Sequence, residues 1–248
     1  MNIAIMIGRK GSSGLPGKNT LKVLGRPLSE YPLMAASQSK NIDRIYLSTD
    51  SSELIKIAES YGAHIIERPA RLCTNEALGE DAYVHAHGII KKELAQEGFT
   101  LKIYALLMAN SPTVSSEQIE EGIEILKKKP EIDSAVTVSC YNMSRPLKAR
   151  RNNADGLLEP FVPFETFGNP QTLNCDRDSQ GDVLFADMGV SIIRPKNLDN
   201  LEGGLLPQKW MGQKIYPIKN IGGLDVDYEW QVPQAINWLE RNGVANDN

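Results

Sequence analysis

Cysteine, histidine and aromatic residues are scarce in this chain. Its 248 residues hold 3 cysteines, 3 histidines and 3 tryptophans, and aromatics make up 6%. Cys73, Cys140 and Cys175 are scattered and odd in number. Their spacing excludes a disulfide framework and a paired-cysteine metal site. Free thiols fit a reducing compartment, so the cytoplasm is the expected location. No histidine accompanies a serine or cysteine in a nucleophile motif. His85 and His87 stand two apart on an expected helix and so point in different directions, which argues against a metal pair. Long apolar runs are missing as well. The first run, Ile3 to Ile7, is too short for the apolar core of a signal peptide. No window approaches the ~20 apolar residues that span a bilayer. Positive charge is not in excess either, with a formal net charge of −4, which argues against a nucleic-acid partner. The basic run Lys127 to Lys129 ends an expected helix, where cations suit the negative end of the dipole.

What the chain does have is glycine, placed tellingly. An apolar strand, Ile3 to Ile7, runs straight into a loop holding Gly11, Gly14 and Gly17 together with Arg9, Lys10 and Lys18. Glycines let backbone N–H groups approach a ligand closely. Successive free N–H groups form an anion-binding concavity, and the added cations point to a polyphosphate. The loop is neither a P-loop nor a dinucleotide fingerprint, because neither spacing is met. A nucleotide site at the carboxyl end of the first strand is the reading that remains, since open α/β sheets bind ligands there.

Strands and helices alternate beyond the loop. Strands are expected at Arg44 to Thr49, around Ile65 and Ile66, at Ile103 to Met108 and at Ala135 to Cys140. Helices are expected around Tyr31 to Ser39, Ser51 to Tyr61, Gly79 to Gln96 and Ser116 to Lys128. Asp50 and Glu53 have capping-box spacing at the second helix. The order implies a doubly wound α/β fold with a mostly parallel sheet. Residues 141 to about 182 break the pattern and carry Pro146, Pro160, Pro163 and Pro170. So long a stretch without periodicity reads as an inserted subdomain within a single domain of residues 1–248. Core strands resume at Gly189 to Ile193 and Lys214 to Ile218, and a last helix carries Trp230, Ile236 and Trp238. The tail Asn246 to Asn248 is expected to fray.

Asp225 and Asp227 flank Val226. On a strand, residues i and i+2 share a face, so both carboxylates would converge. Two such anions together favour a cation, and Mg²⁺ commonly bridges one or two carboxylates and substrate phosphates. A plain turn after Gly222 and Gly223 is the competing explanation.

Five segments, in order, resemble the CMP-sialic acid synthetases, also called acylneuraminate cytidylyltransferases. Arg9-Lys-Gly-Ser-Ser-Gly-Leu-Pro-Gly-Lys-Asn19 is similar to that family's R-G-G-S-K-G-L-P-G-K-N loop. Leu47 to Ser51 resembles S-T-D-D, and Arg68 to Leu72 resembles R-P-x-x-L. Leu106 to Pro112 resembles L-L-Q-P-T-S-P, and Leu224 to Glu229 resembles I-D-I-D. Three positions depart from the pattern: Ser13 replaces a lysine, Met108 a glutamine and Asn75 an aspartate.

The resemblance implies a Rossmann-like nucleotidyltransferase fold whose inserted arm dimerises and reaches the neighbour's site. It implies transfer of CMP from CTP to a nonulosonic, sialic-acid-like keto sugar, with pyrophosphate released. Arg9, Gly11, Ser12 and Lys18 would hold the triphosphate, Asn19 and Arg68 would read the cytidine, and Asp225 and Asp227 would hold Mg²⁺. Arg9, Lys18, Asp225 and Asp227 are the expected catalytic residues. The expected partners are CTP, a keto sugar acid and a second copy of the chain, with no nucleic acid and no membrane. Another keto sugar such as Kdo, a sugar 1-phosphate, or a non-catalytic nucleotide-binding role stay open as alternatives.

Overall fold

The computed structural model describes residues 1–11, 14–176 and 181–245. Ser12, Ser13 and the tail 246–248 lie outside them. Strand β1 (Asn2–Ile7) leads through the glycine loop to a small hairpin of β2 (Lys22–Val23) and β3 (Arg26–Pro27). Then come α1 (Glu30–Gln38), β4 (Arg44–Thr49), α2 (Ser52–Glu59), β5 (His64–Glu67), α3 (Gly79–Gln96), β6 (Ile103–Met108), α4 (Ser116–Lys128) and β7 (Ser134–Cys140). A second hairpin, β8 (Arg150–Asn152) with β9 (Leu158–Pro160), lies in the insertion. The core resumes with β10 (Leu184–Ile193), α5 (Lys196–Asp199), β11 (Ile215–Asn220) and α6 (Val232–Arg241).

Among the described residues, seven strands form one sheet in the order β11-β7-β10-β6-β1-β4-β5. Strands β6, β1, β4 and β5 run parallel, as do β7 and β11, while β10 is antiparallel to both of its neighbours. The α/β, mostly parallel sheet is the one expected. Alternation along each strand divides the core. Ala4 and Met6 of β1 pack with α1, α2 and α4 on one face, and Ile3, Ile5 and Ile7 pack with α3 and α5 on the other. Both faces are covered, so the parallel strands read as near-continuous apolar runs. From β1 the chain moves outward to β4 and β5 and then returns to β6 on the other side. The sheet order therefore reverses between β1 and β6, the place where open α/β sheets make a crevice at their carboxyl ends.

The third apolar cluster is small and matters most for the site. Val23, Leu28 and Tyr31 pack against Leu224, Val226, Ala235, Trp238 and Leu239. This cluster docks α6 and the segment before it across the mouth of the crevice. Trp230 was expected in the last helix, but it precedes α6 in a 3-10 turn and is exposed. Two prolines of the insertion, Pro146 and Pro170, start 3-10 turns instead of interrupting longer elements. Leu157, Leu158 and Phe161 of this region are exposed. No helix among the described residues is long and apolar enough to cross a membrane.

Candidate active site

The glycine loop begins where β1 and β6 end together. A side chain at Gly8 would lie 2.7 Å from the Cβ of Ala109, so only glycine lets the two strand ends meet. Gly11 and Gly17 have φ of 84° and 70°, the left-handed conformation that costs other residues free energy. The Arg9 guanidinium turns toward the stretch after β5, donating to Asn75 Oδ1 at 2.8 Å and to the Cys73 carbonyl at 3.3 Å. The Asn19 amide donates to the Arg9 carbonyl at 3.2 Å and closes the loop on itself. Ser12 lies outside the described residues.

Asp50 corrects the expected helix start. The cap of α2 is Ser51, whose hydroxyl accepts from the Leu54 N–H at 3.4 Å. Asp50, the first residue past β4, turns away and accepts from the Lys10 N–H at 2.7 Å. One of the loop's backbone donors is thus already occupied by an anion, the ligand class the loop suits.

Asp225 and Asp227 do not lie on a strand of the sheet. They occupy an extended but irregular segment after β11. Alternation holds nonetheless, because Leu224 and Val226 are buried in the third cluster while the aspartates turn the other way. The segment is tied to the loop after β6. The Val226 N–H donates to the Asn110 carbonyl at 2.8 Å, and the Leu224 N–H donates to Thr113 Oγ1 at 2.8 Å. The Asn110 amide lies 3.4 Å from Asp225 Oδ2 and 3.4 Å from Asp227 Oδ1, so both carboxylates converge on one point. Lys18 Nζ donates to Asp227 Oδ1 in a short contact. Burial is the main reason the Asp225 carboxyl is held above its usual range, and the Asp227 charge adds to it.

This donor set fits a divalent cation. The two carboxylates share one amide while the Lys18 ammonium meets Asp227, and a cation would offset a cost of like charge that Lys18 only partly meets. Among the described residues no group of three or more histidine, cysteine, aspartate and glutamate side chains gathers to hold a metal. Such a pair suits Mg²⁺, which is commonly bound through one or two carboxylates plus water and substrate phosphates.

Arg68 is buried at the end of β5. Its guanidinium donates to the Ser48 carbonyl at 2.6 Å and to Ser48 Oγ at 3.3 Å. Burial lowers its proton affinity, partly opposed by Cys73 and Asp50. Arg9, Gly11, Lys18, Asn19, Arg68 and Asp227 all line one cleft of about 340 Å³. Asp225 is not on its lining, whereas Asp227 and Tyr228 of the same segment are. Leu72, Leu78 and Met108 give the cleft an apolar wall.

Sequence reasoning missed Asn110, which stands in a quoted segment as a polar residue just past an apolar strand. That position was the available signal. It also missed Tyr228, which lines the cleft beside Asp227. The histidines stay out of the site. His87 is buried between the Tyr104 hydroxyl at 2.9 Å and Asp199 at 3.1 Å. Cys73, Cys140 and Cys175 are free thiols.

A family model described as cytidylyltransferase matches residues 3–218, most of the chain though not the Asp225–Asp227 segment. An N-acylneuraminate cytidylyltransferase of Escherichia coli O18:K1:H7 is 34% identical over 164 residues, 66% of this chain. The chain spans only 35% of that protein's length. A CMP-N,N'-diacetyllegionaminic acid synthase of Legionella pneumophila is 31% identical over 172 residues, covering 67% of this chain and 71% of that protein. Among solved structures, a CMP:2-keto-3-deoxy-manno-octonic acid synthetase complexed with CTP superposes with a TM-score of 0.65 at 15% identity, over 97% of this chain and 99% of that one. At that identity the likeness is one of fold.

Proposed function

Because this chain belongs to the cytidylyltransferase family, we propose that it activates a nonulosonic acid with CTP. The anomeric hydroxyl oxygen bonds to the α-phosphorus, the bond to the β-phosphate oxygen breaks, and CMP-sugar and pyrophosphate are the products. The hydroxyl proton leaves to solvent. One observation carries the reading: Lys18 of the glycine loop pairs with Asp227 at the cleft, and the Asn110 amide joins Asp227 to Asp225 behind it.

Phosphoryl transfer rests chiefly on positioning and on neutralising charge. In this reading Arg9, Lys18 and the backbone of the glycine loop, with Gly11 and Ser12, hold the triphosphate. Asn19 and Arg68 face the cytidine. An amide offers both the donor and the acceptor that a cytosine edge requires. Asp225 and Asp227 would hold Mg²⁺, which when bound would neutralise phosphate charge and lower the pKa of the attacking hydroxyl. Met108 and Leu78 suit an acceptor with apolar substituents, because a thioether and an alkyl chain leave a sugar hydroxyl unpaired. A nonulosonate in which a hydroxyl of N-acetylneuraminic acid is replaced by hydrogen or by a further acetamido group meets that wall better than N-acetylneuraminic acid itself. The cytoplasm is the proposed compartment, as three free thiols suit reducing conditions. A homodimer through residues 141–182 would cover Leu157, Leu158 and Phe161, which are exposed in the single chain.

Pyrophosphate release with CTP and a panel of keto sugar acids tests the proposal. The panel would include N-acetylneuraminic acid, diacetamido nonulosonates and Kdo. Release with a nonulosonate supports it. No release with any of them, at saturating CTP and Mg²⁺, would overturn it.

A further inference from the structure

Asp187 is a buried carboxyl with no part in the reaction as written above. It sits where β10 loses register with β7 between Ala186 and Ser191. The next residue, Met188, has φ of 62°, a conformation that non-glycine side chains adopt at a cost and that tends to mark functional sites. Such a bulge re-aims a side chain, and here it turns Asp187 toward the carboxyl end of the sheet.

The Asp187 carboxylate accepts from Ser139 Oγ at 2.6 Å and from the Gly189 N–H at 3.2 Å. The Thr137 and Asn220 side chains beside it favour the charged form, against the burial that raises its pKa. A serine hydroxyl has one proton. Given to Asp187, that proton leaves the Ser139 lone pairs free, and they accept the Gly223 N–H at 2.9 Å. The other side of the same residue is held as well, because the Tyr141 hydroxyl donates to the Gly223 carbonyl at 2.7 Å. A side chain at position 223 would meet Asn220 Nδ2 at 2.2 Å and Asp187 Oδ2 at 2.4 Å. Gly223 is thus pressed onto Asp187, and Asp225 lies two residues further on.

We propose that Asp187, acting through Ser139, is a positioning residue that sets the Gly223 backbone and thereby the place of the Asp225 carboxylate. This rests on the reading of Asp225 and Asp227 as the functional pair. The carboxylate fixes the direction of the Ser139 hydroxyl, and the hydroxyl fixes the entry of the segment.

The test uses D187N, S139A and the double variant in the full chain, with two readouts. The first is kcat for CMP-sugar formation. Each single variant lowers it by about 10²-fold, the cost of displacing a reacting geometry by ~1 Å. The double variant is no worse than the more severe single, because both cut one link. The second is amide hydrogen exchange over residues 223–227 without substrate. Loss of the Ser139 acceptor speeds exchange at Gly223 by about tenfold. Native exchange there in a variant with a lowered melting temperature would overturn the proposal, since Asp187 would then only brace the bulge. Additive losses of kcat would overturn it too. If D187N does not fold, S139A decides alone, because it leaves Asp187 in place. If the wild-type chain forms no CMP-sugar, the proposed function fails, and the exchange result still decides the positioning.

Discussion

Gly14→Ala tests how closely the glycine loop must approach the carboxylate segment. A Cβ at position 14 would lie 2.5 Å from the Asp227 carbonyl oxygen, with the Tyr228 ring at 3.7 Å. Backbone, not a flexible side-chain tip, stands in the way. The Gly14 backbone is outside the left-handed region, so alanine meets no conformational penalty and the clash is the whole perturbation. Restoring van der Waals distance requires the loop and the segment to part by about 1 Å. A displacement of that size at a reacting centre costs on the order of 10² in rate. The same movement stretches the contact between Lys18 and Asp227. Stability should fall less sharply, since overpacking costs about 1–3 kcal/mol even inside a packed core, and both segments here reach the surface. The assay is steady-state pyrophosphate release against CTP, paired with thermal melts. Gly14→Val should be worse than Gly14→Ala. Undiminished turnover in Gly14→Ala would refute the idea that these two segments must touch.

Three further outcomes are expected. Asp225→Asn and Asp227→Asn each lose turnover by at least about 10²-fold, as removal of a preorganised electrostatic contact does. The Asp225 carboxyl is raised in the folded protein by burial and then by Asp227, so its stabilising contribution is full at low pH and is lost as pH rises through its folded value. Metal-free Asp225→Asn should therefore melt at or above wild type at neutral pH and lose that advantage in acid; a large drop at neutral pH would make the residue structural. CTP should be used far better than ATP, because a site that hydrogen-bonds one base edge leaves buried groups unpaired with another, and equal turnover with ATP would contradict the roles given to Asn19 and Arg68. Sedimentation should find a dimer that Phe161→Asp weakens, since Leu157, Leu158 and Phe161 of the insertion are each exposed and exposed apolar surface marks interfaces; a wild-type monomer at micromolar concentration would count against the arm.

Local signals carried much of the fold. The helices Gly79–Gln96 and Ser116–Lys128 match the expected limits because apolar spacing and termini agree along one continuous segment. The strand Ile103–Met108 is equally plain, being apolar throughout and buried on both faces. Helical spacing from Ala82 and Ala86 would bury Ile89 of α3, but Ile90 is buried and Ile89 is exposed. One helical position is decided by what packs above it. The Asp50 expectation failed for a similar reason. Capping-box spacing describes what Asp50 could do within its own segment, whereas its partner, Lys10, comes from a loop forty residues earlier.

By itself, then, the sequence determined the alternation of elements, the loop chemistry and the family, because each is written in adjacent residues. The order β6-β1-β4, the antiparallel β10 and the docking of α6 were decided by the tertiary structure. So were the meetings of Lys18 with Asp227 and of Asn110 with both carboxylates. These contacts join residues far apart in the chain. Their partners are chosen by burial of Leu224 and Val226 in a cluster that exists only once α6 has packed, and no local spacing records that choice.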